Sequence, residues 1–367
     1  MTVADEVLCF DPEVPLAGAS SPPSSWYVDP AFHEVEERAV FGRRWLFACP
    51  ADHVASPGSW AAGRVGALPW VVLRDDEGEL RAFHNVCRHR AAEVVQGRGC
   101  GELVCRYHAW RYRLDGRLRS APRAGAMEGF DRDGLGLHPL AVQRWGPLIL
   151  VCADTMAGPF AAPELDALLA PTGWADLAWV ARRSYDVACN WKVFNDNYLD
   201  GGYHIAHMHP TLDAQIDMKA YWTELLPGAS VQTCPPVEGD PRATVDVTAR
   251  IGSGAIYAWV HPTLMINRYG PVLDTNTVEP LAADRCRVHF DFWFDGDAGA
   301  ADESAFVAQS MAQSHVTQLE DIDISESVQV GTGSRSFDRG RYAPAYEKAI
   351  HHFHRILAAD LRSFLGV

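Results

Sequence analysis

Two short motifs constrain this chain more than anything else in it: CRH at residues 87–89 and CRYHAW at residues 105–110. Each joins one cysteine to one histidine, as C-x-H and C-x2-H, with fifteen residues between them. A thiolate and an imidazole this close in sequence share one tight loop. Two such loops face to face offer two sulfur and two nitrogen donors to metal. The surrounding sequence suits loops at the ends of β-hairpins. From Trp60 to about Leu150, short apolar or alternating strands such as PWVVLRD and PLILVCA are separated by turn signals such as DDEGE, GRGCGE and LDGR.

A tetrahedral zinc would take all four donors on one ion, but zinc loops more often pair cysteine with cysteine. A Rieske 2Fe-2S cluster places two thiolates on one iron and two neutral imidazoles on the other, so one of each per loop favours it. FHNVCRHRAAEVV and CRYHAWRYRLDGRL resemble the Rieske domain of ring-hydroxylating and related non-haem iron oxygenases. That resemblance implies that Cys87 and Cys105 hold one iron and His89 and His108 the other. Ala109 departs from the family, which usually has glycine after the second histidine, and its methyl tightens the loop. Cys100 reads as a buried or turn thiol outside the ligand set, and Trp110 as packing over the cluster.

At 367 residues the chain has room for one large domain or two. Its net charge of −15 argues against nucleic acid or an anionic membrane as partner and is compatible with a cationic substrate or a basic redox partner. Nine cysteines, an odd number spread along the chain, do not form a disulfide framework. No apolar run reaches transmembrane length, and the acidic leader MTVADEVLCF lacks the features of a targeting peptide, so a cytoplasmic protein is expected. ASSPPSS reads as an extended arm, DPAFHEVEERAVFGRRWLFAC as a capped helix running into a strand, and ATVDVTARI and RCRVHFDFWFD as strands. Helices are expected at 191–207, 303–329 and 343–365.

A Rieske cluster only carries electrons, so a site that uses them is expected downstream. GGYHIAHMHP, residues 201–210, holds His204, His207 and His209, and helical spacing alone pairs His204 with His207. The wider segment CNWKVFNDNYLDGGYHIAHMHP resembles the iron-binding segment of the same oxygenases, whose two histidines stand five apart. The resemblance therefore implies His204 and His209 as ligands, with His207 a pocket or neighbouring residue. It also requires the helix to end or distort between them, which Pro210 permits. Two imidazoles and one carboxylate are what a mononuclear iron(II) that activates dioxygen needs. SHVTQLEDIDISESVQVG offers Glu320, Asp321, Asp323 and Glu326, charges that by themselves read as a solvated helix face. The family's ED pair followed by E-x-V-Q implies Asp321, with Asp323 as the runner-up. Asn197, beside Asp196, corresponds to a residue close to the metal in relatives.

From about Trp26 onward, including GAIYAWVHPTLMINRYGPVLDTN and FDRGRYAPAYEKAIHHFHRIL, the chain is similar to the choline monooxygenase-like branch. The resemblance implies an α+β fold, with an all-β Rieske domain at 45–155 inserted in or preceding a helix-grip catalytic domain at 156–367. Residues 1–44 would be an arm and helix packing on that domain. It further implies hydroxylation of a C–H bond, next to a quaternary or tertiary nitrogen, with O2 and with electrons from NAD(P)H through a separate ferredoxin or flavin reductase. An aromatic or heterocyclic substrate is the alternative. Tyr203, Tyr257, Trp259, Tyr269 and Trp191 are available for a cation cage or for ordinary packing. Val272 and Leu273 replace Trp and Met of the branch, and Ala206 and His207 replace Pro and Tyr, which bears on choline if those positions line the pocket. Relatives form head-to-tail homotrimers in which a carboxylate three residues before the first iron histidine bridges the two metal sites. Here that position is Gly201, and Asp200, one residue off, is the candidate bridge, with backbone, water or Asp196 as alternative routes. His351, His352 and His354 read as structural.

Overall fold

The computed structural model describes residues 1–124, 127–237, 239–243, 246–295 and 301–367, the last segment without the side chains of 301–303. Two units emerge: Phe41–Ala161, and Met1–Val40 together with Ala162–Val367.

In the first unit, the alternating stretches pair into a seven-stranded antiparallel sheet. Its order is Leu46–Pro50, Leu148–Cys152, Pro139–Trp145, Leu80–His84, Leu68–Arg74, Ser59–Val65 and Gly97–Cys100. Leu103–Val104, Arg111–Tyr112 and Leu118–Ser120 form a small second sheet. Buried Val71, Leu73, Leu103, Tyr112 and Leu118 make a core that also includes Cys87, Cys105 and Trp110. The two cysteines are thus presented from a rigid apolar base. Cys100, read as a buried or turn thiol, lies exposed at a strand end.

In the second unit, six strands follow one another as an antiparallel meander from Trp222–Leu226 through Ala229–Cys234, Ala255–Val260, Leu264–Tyr269, Val272–Ala282 and Arg285–Phe294. Ala178–Val187 closes the far edge against Arg285–Phe294. Leu264–Tyr269 is buried throughout, as is Val272–Ala282 up to Pro280, so neither shows the simple alternation of a half-exposed strand. One face of this pair instead carries polar groups: Asn267 lies opposite Asp274, and Asn276 follows two residues later on the same side. The helices Trp191–Tyr198 and Ala301–Thr332 complete the helix-grip, α+β arrangement.

Three expectations need correction. The helix expected at 191–207 stops at Tyr198, because Gly201 and Gly202 take left-handed backbone angles, φ +70° and +78°, and a new short helix starts at Ile205. The tail helix begins at Lys348 rather than 343, after turns containing Pro344, which disfavours helical geometry in the residue before it. In ATVDVTARI, residues 244 and 245 lie outside the described residues. The remainder, Val247–Ile251, is a helix and not a strand, with the Asp246 side chain accepting from Ala249 N.

Candidate metal centres

The two Cys-His motifs fold into the same turn. The Cys87 carbonyl accepts from Ala91 N at 3.0 Å, and Cys87 N donates to the Ala92 carbonyl at 2.8 Å. Cys105 repeats both bonds, accepting from Ala109 N at 2.9 Å and donating to the Trp110 carbonyl at 2.8 Å. Ala91 and Ala109 close these turns with φ of +58° and +56°. That conformation explains why glycine suits the second position, and the alanine methyl costs about 1 kcal/mol there.

Both cysteines are buried, and the Tyr112 hydroxyl lies 3.3 Å from Cys87 Sγ while accepting from Arg88 N at 2.9 Å. The Nδ1 atoms of His89 and His108 approach to 3.1 Å. Desolvation first, then the charges of His108 and Arg90, hold the His89 imidazole below its ordinary pKa, in the neutral form a metal ligand requires. Trp110 is buried and stacks on His89 with ring centroids 4.9 Å apart. Two thiols in an apolar base and two imidazoles meeting nitrogen to nitrogen fit a Rieske cluster.

The second centre is assembled from two elements. Asn190 caps the helix Trp191–Tyr198, its side chain accepting from Lys192 N at 3.0 Å. The chain then turns through Gly201, where a Cβ would stand 2.3 Å from the Tyr346 carbonyl oxygen. No side chain fits at Gly201 with that carbonyl in place, which excludes a carboxylate at this position. Asp200 takes up the position beside His204. Its carboxylate accepts from Gly202 N at 2.9 Å, Tyr203 N at 3.2 Å and His204 N at 3.0 Å, and meets His204 Nδ1 at 2.5 Å.

His209 leaves helical geometry, with ψ of 67°, just before Pro210 opens the next turn. This swing brings His204 Nε2 and His209 Nε2 within 3.0 Å of each other. Asp321, on the long helix, places Oδ1 3.1 Å from His209 Nε2 and 3.8 Å from His204 Nε2. These three groups are positioned to hold one metal ion. Glu320 Oε2 lies 2.6 Å from His209 Nδ1, and Asn197 Nδ2 donates to Asp321 Oδ1 at 2.6 Å. Each imidazole therefore has a carboxylate on Nδ1, which directs Nε2 to the centre. Burial works against protonation of His209, but Asp321 and Glu320 outweigh it and raise its pKa.

Other expected residues fall elsewhere. His207 is exposed and does not line the cavity beside the centre, contrary to a pocket role. Asp323 points to solvent. Asp196 turns away from the metal residues toward Tyr27 and His354, at 2.8 and 3.0 Å. Glu326 and Gln329, the E-x-V-Q residues, accept from Ala188 N and Asn190 N, both at 2.9 Å, and so fix where the iron-site helix starts. That role was hidden in the sequence, because nothing local links those residues to 188–190.

The cavity has a volume of about 140 Å³, several times the share of one water, and is lined by Tyr198, Tyr221, Tyr257, Tyr269, Phe194 and Phe290 among others. Of the five aromatics expected as a cage, only Tyr257 and Tyr269 line it. Trp191 and Trp259 are buried in packing, and Tyr203 is 57 % exposed against Tyr346. Val272, Leu273 and Ala206 are not among the residues lining this cavity. Tyr198 and Tyr221 were missed. Their segments carry no periodic signal that separates lining from packing.

Comparison with known proteins identifies the family. The family described as ring hydroxylating alpha subunit (catalytic domain) matches residues 174–363, and the Rieske 2Fe-2S domain matches 44–131. The chain is 40% identical to the chloroplastic choline monooxygenase of Arabidopsis thaliana, over 96% of this chain and 86% of that one. It is 26% identical to the carnitine monooxygenase oxygenase subunit of Escherichia coli strain K12, over 97% of this chain and 96% of that one. A solved quaternary ammonium Rieske monooxygenase in complex with its substrate L-carnitine superposes with a TM-score of 0.82 at 25% identity, covering 98% of this chain and 99% of that one. The chain belongs to the ring-hydroxylating alpha-subunit family: it is a Rieske non-haem iron oxygenase, using a 2Fe-2S cluster, a mononuclear iron and a separate electron donor.

Proposed function

We propose that this oxygenase hydroxylates a C–H bond next to the nitrogen of a quaternary or tertiary ammonium compound. The observation that carries the reading is a two-histidine, one-carboxylate centre opening on a tyrosine-lined cavity, in a chain similar to choline and carnitine monooxygenases. Cys87, Cys105, His89 and His108 would hold the cluster, and His204, His209 and Asp321 the iron. Once bound, the two centres supply electron delivery and dioxygen activation.

The chain's own residues supply position and surroundings. Asp200 and Glu320 set the two imidazoles, and Asn197 holds the Asp321 carboxylate. Tyr257 and Tyr269 are among the aromatic residues lining a cavity that a cationic head would occupy. Phe194, Ile205, Leu212 and Phe290 add apolar lining that limits water around the reacting bond.

His108 is exposed, as transfer to or from another chain requires. A head-to-tail homotrimer, with Asp200 bridging His204 to a neighbour's His108, accounts for that exposure. Arg90 and Arg106, both exposed, flank the cluster histidines. They favour an acidic surface on the ferredoxin or flavin reductase at this face, the opposite of what overall charge suggested.

The test is a screen of ammonium, aromatic and heterocyclic compounds with the iron-loaded enzyme and a reductase. Oxygen consumption coupled to a hydroxylated or demethylated ammonium product supports the reading. Coupled turnover of aromatic compounds alone would replace it, and a colourless, zinc-loaded preparation without sulfide would remove the oxygenase chemistry altogether.

A further inference from the structure

One wall of the cavity carries a charge that recognition of a cation does not explain. Arg250, on the short helix Val247–Ile251, is 6 % exposed, and its guanidinium lies 4.9 Å from the centroid of the Tyr269 ring. Nη1 donates to Gln215 Oε1 at 2.9 Å and Nη2 to the Tyr269 hydroxyl at 3.3 Å. The buried Nε has no partner among the described residues.

Asp274 is the acid nearest in this network, but it does not pair directly with Arg250. It accepts instead from the Tyr269 hydroxyl at 2.5 Å and from Asn267 Nδ2 at 2.6 Å. Burial raises its pKa, against the lowering effects of Tyr269, Asn267 and Arg250, which weakens it further as a counter-charge. A guanidinium cannot shed its charge, so burying it without an anion in contact is unfavourable. A second donor belongs to the same cavity lining: the Gln318 amide nitrogen is buried without a partner among the described residues. A trimethylammonium group offers these two donors no acceptor, and a single hydroxyl offers no negative charge.

We propose that Arg250 anchors a carboxylate, and that the substrate is a zwitterionic betaine carrying a quaternary ammonium and an acid group on one small skeleton. The carboxylate takes the free side of the guanidinium, with Gln215 and Tyr269 holding the arginine in place. The methylated nitrogen lies along the tyrosine-lined part of the cavity toward His204, His209 and Asp321. The assignment rests on the ammonium reading above and narrows it to acids.

Binding to the iron-loaded, anaerobic enzyme is measured by calorimetry for trimethylammonium acids with one to three methylenes between nitrogen and carboxylate. Each acid is compared with its own primary amide, and all with choline. The best acid is expected to bind about tenfold or more tightly than its amide. Arg250→Gln removes that difference, and Arg250→Lys restores part of it. An acid that binds no better than its amide in the unmodified enzyme overturns the assignment, which needs no variant to fold. Equal weakening of acid and amide in Arg250→Gln also overturns it. Preferred binding and turnover of choline removes the acid anchor and leaves the ammonium reading standing, whereas failure of every ammonium compound to bind or to stimulate oxygen uptake ends both.

Discussion

In the Rieske unit, four donors ride on two copies of one turn, each closed by the same pair of backbone hydrogen bonds around a buried cysteine. In the catalytic unit, three donors come from a distorted helix end and from a second helix, with Asp321 112 positions after His209. The first centre is held by backbone geometry that each short motif carries within itself. The second is held by side chains: Asp200 on His204, Glu320 on His209 and Asn197 on Asp321. A local turn tolerates change outside its own residues, whereas an assembled site depends on every contact that brings its parts together. Damage to the two should therefore look different.

The largest separation is expected from the ligands. His209→Ala should lose mononuclear iron and all measurable turnover while the reduced cluster keeps its electron spin resonance signal. Cys105→Ala should lose the cluster signal, and His207→Ala should keep both metals. Loss of iron in His207→Ala, with retention in His209→Ala, would reverse the ligand assignment.

Gly201→Asp tests whether Asp200 carries the carboxylate because Gly201 cannot. A side chain there meets the Tyr346 carbonyl and a left-handed backbone, so the substitution should cost about 3 kcal/mol by thermal or denaturant unfolding of the catalytic unit. A stable variant with normal activity would show that the backbone there adapts.

Asn197→Ala leaves all three ligands but frees Asp321. Iron affinity, followed by chelator competition, should fall about tenfold, with the cluster spectrum unchanged. The smallest effect is expected at the local centre. Ala109→Gly removes the methyl from a residue with φ of +56° and should stabilise the Rieske unit by about 1 kcal/mol, seen as slower thermal loss of the cluster absorbance.

The same contrast explains what was legible beforehand. The proposed Rieske ligands were legible because their chemistry lies within six residues of chain per loop. The iron histidines needed more: helical spacing alone chose His204 with His207, and resemblance replaced His207 by His209. The physical reason for that replacement is the ψ of 67° at His209 before Pro210, which turns its ring back on His204. Glu320 read as a surface charge beside the expected ligand, although it lies 2.6 Å from His209 Nδ1. The cage was the least legible part, because tyrosines that line a cavity and tryptophans that fill a core look alike along a strand.

By itself, the sequence determined the metal chemistry of the chain: which residue types occur in which tight spacing, where strands alternate, and that a late acidic helix was available. Those are properties of neighbouring residues. Only the tertiary structure decided which carboxylate orients each imidazole, why Gly201 has no side chain, which aromatics face the cavity, and that Arg250 stands there without an anion. Each of these depends on the packing of distant segments against one another, a relation that no local stretch of sequence contains.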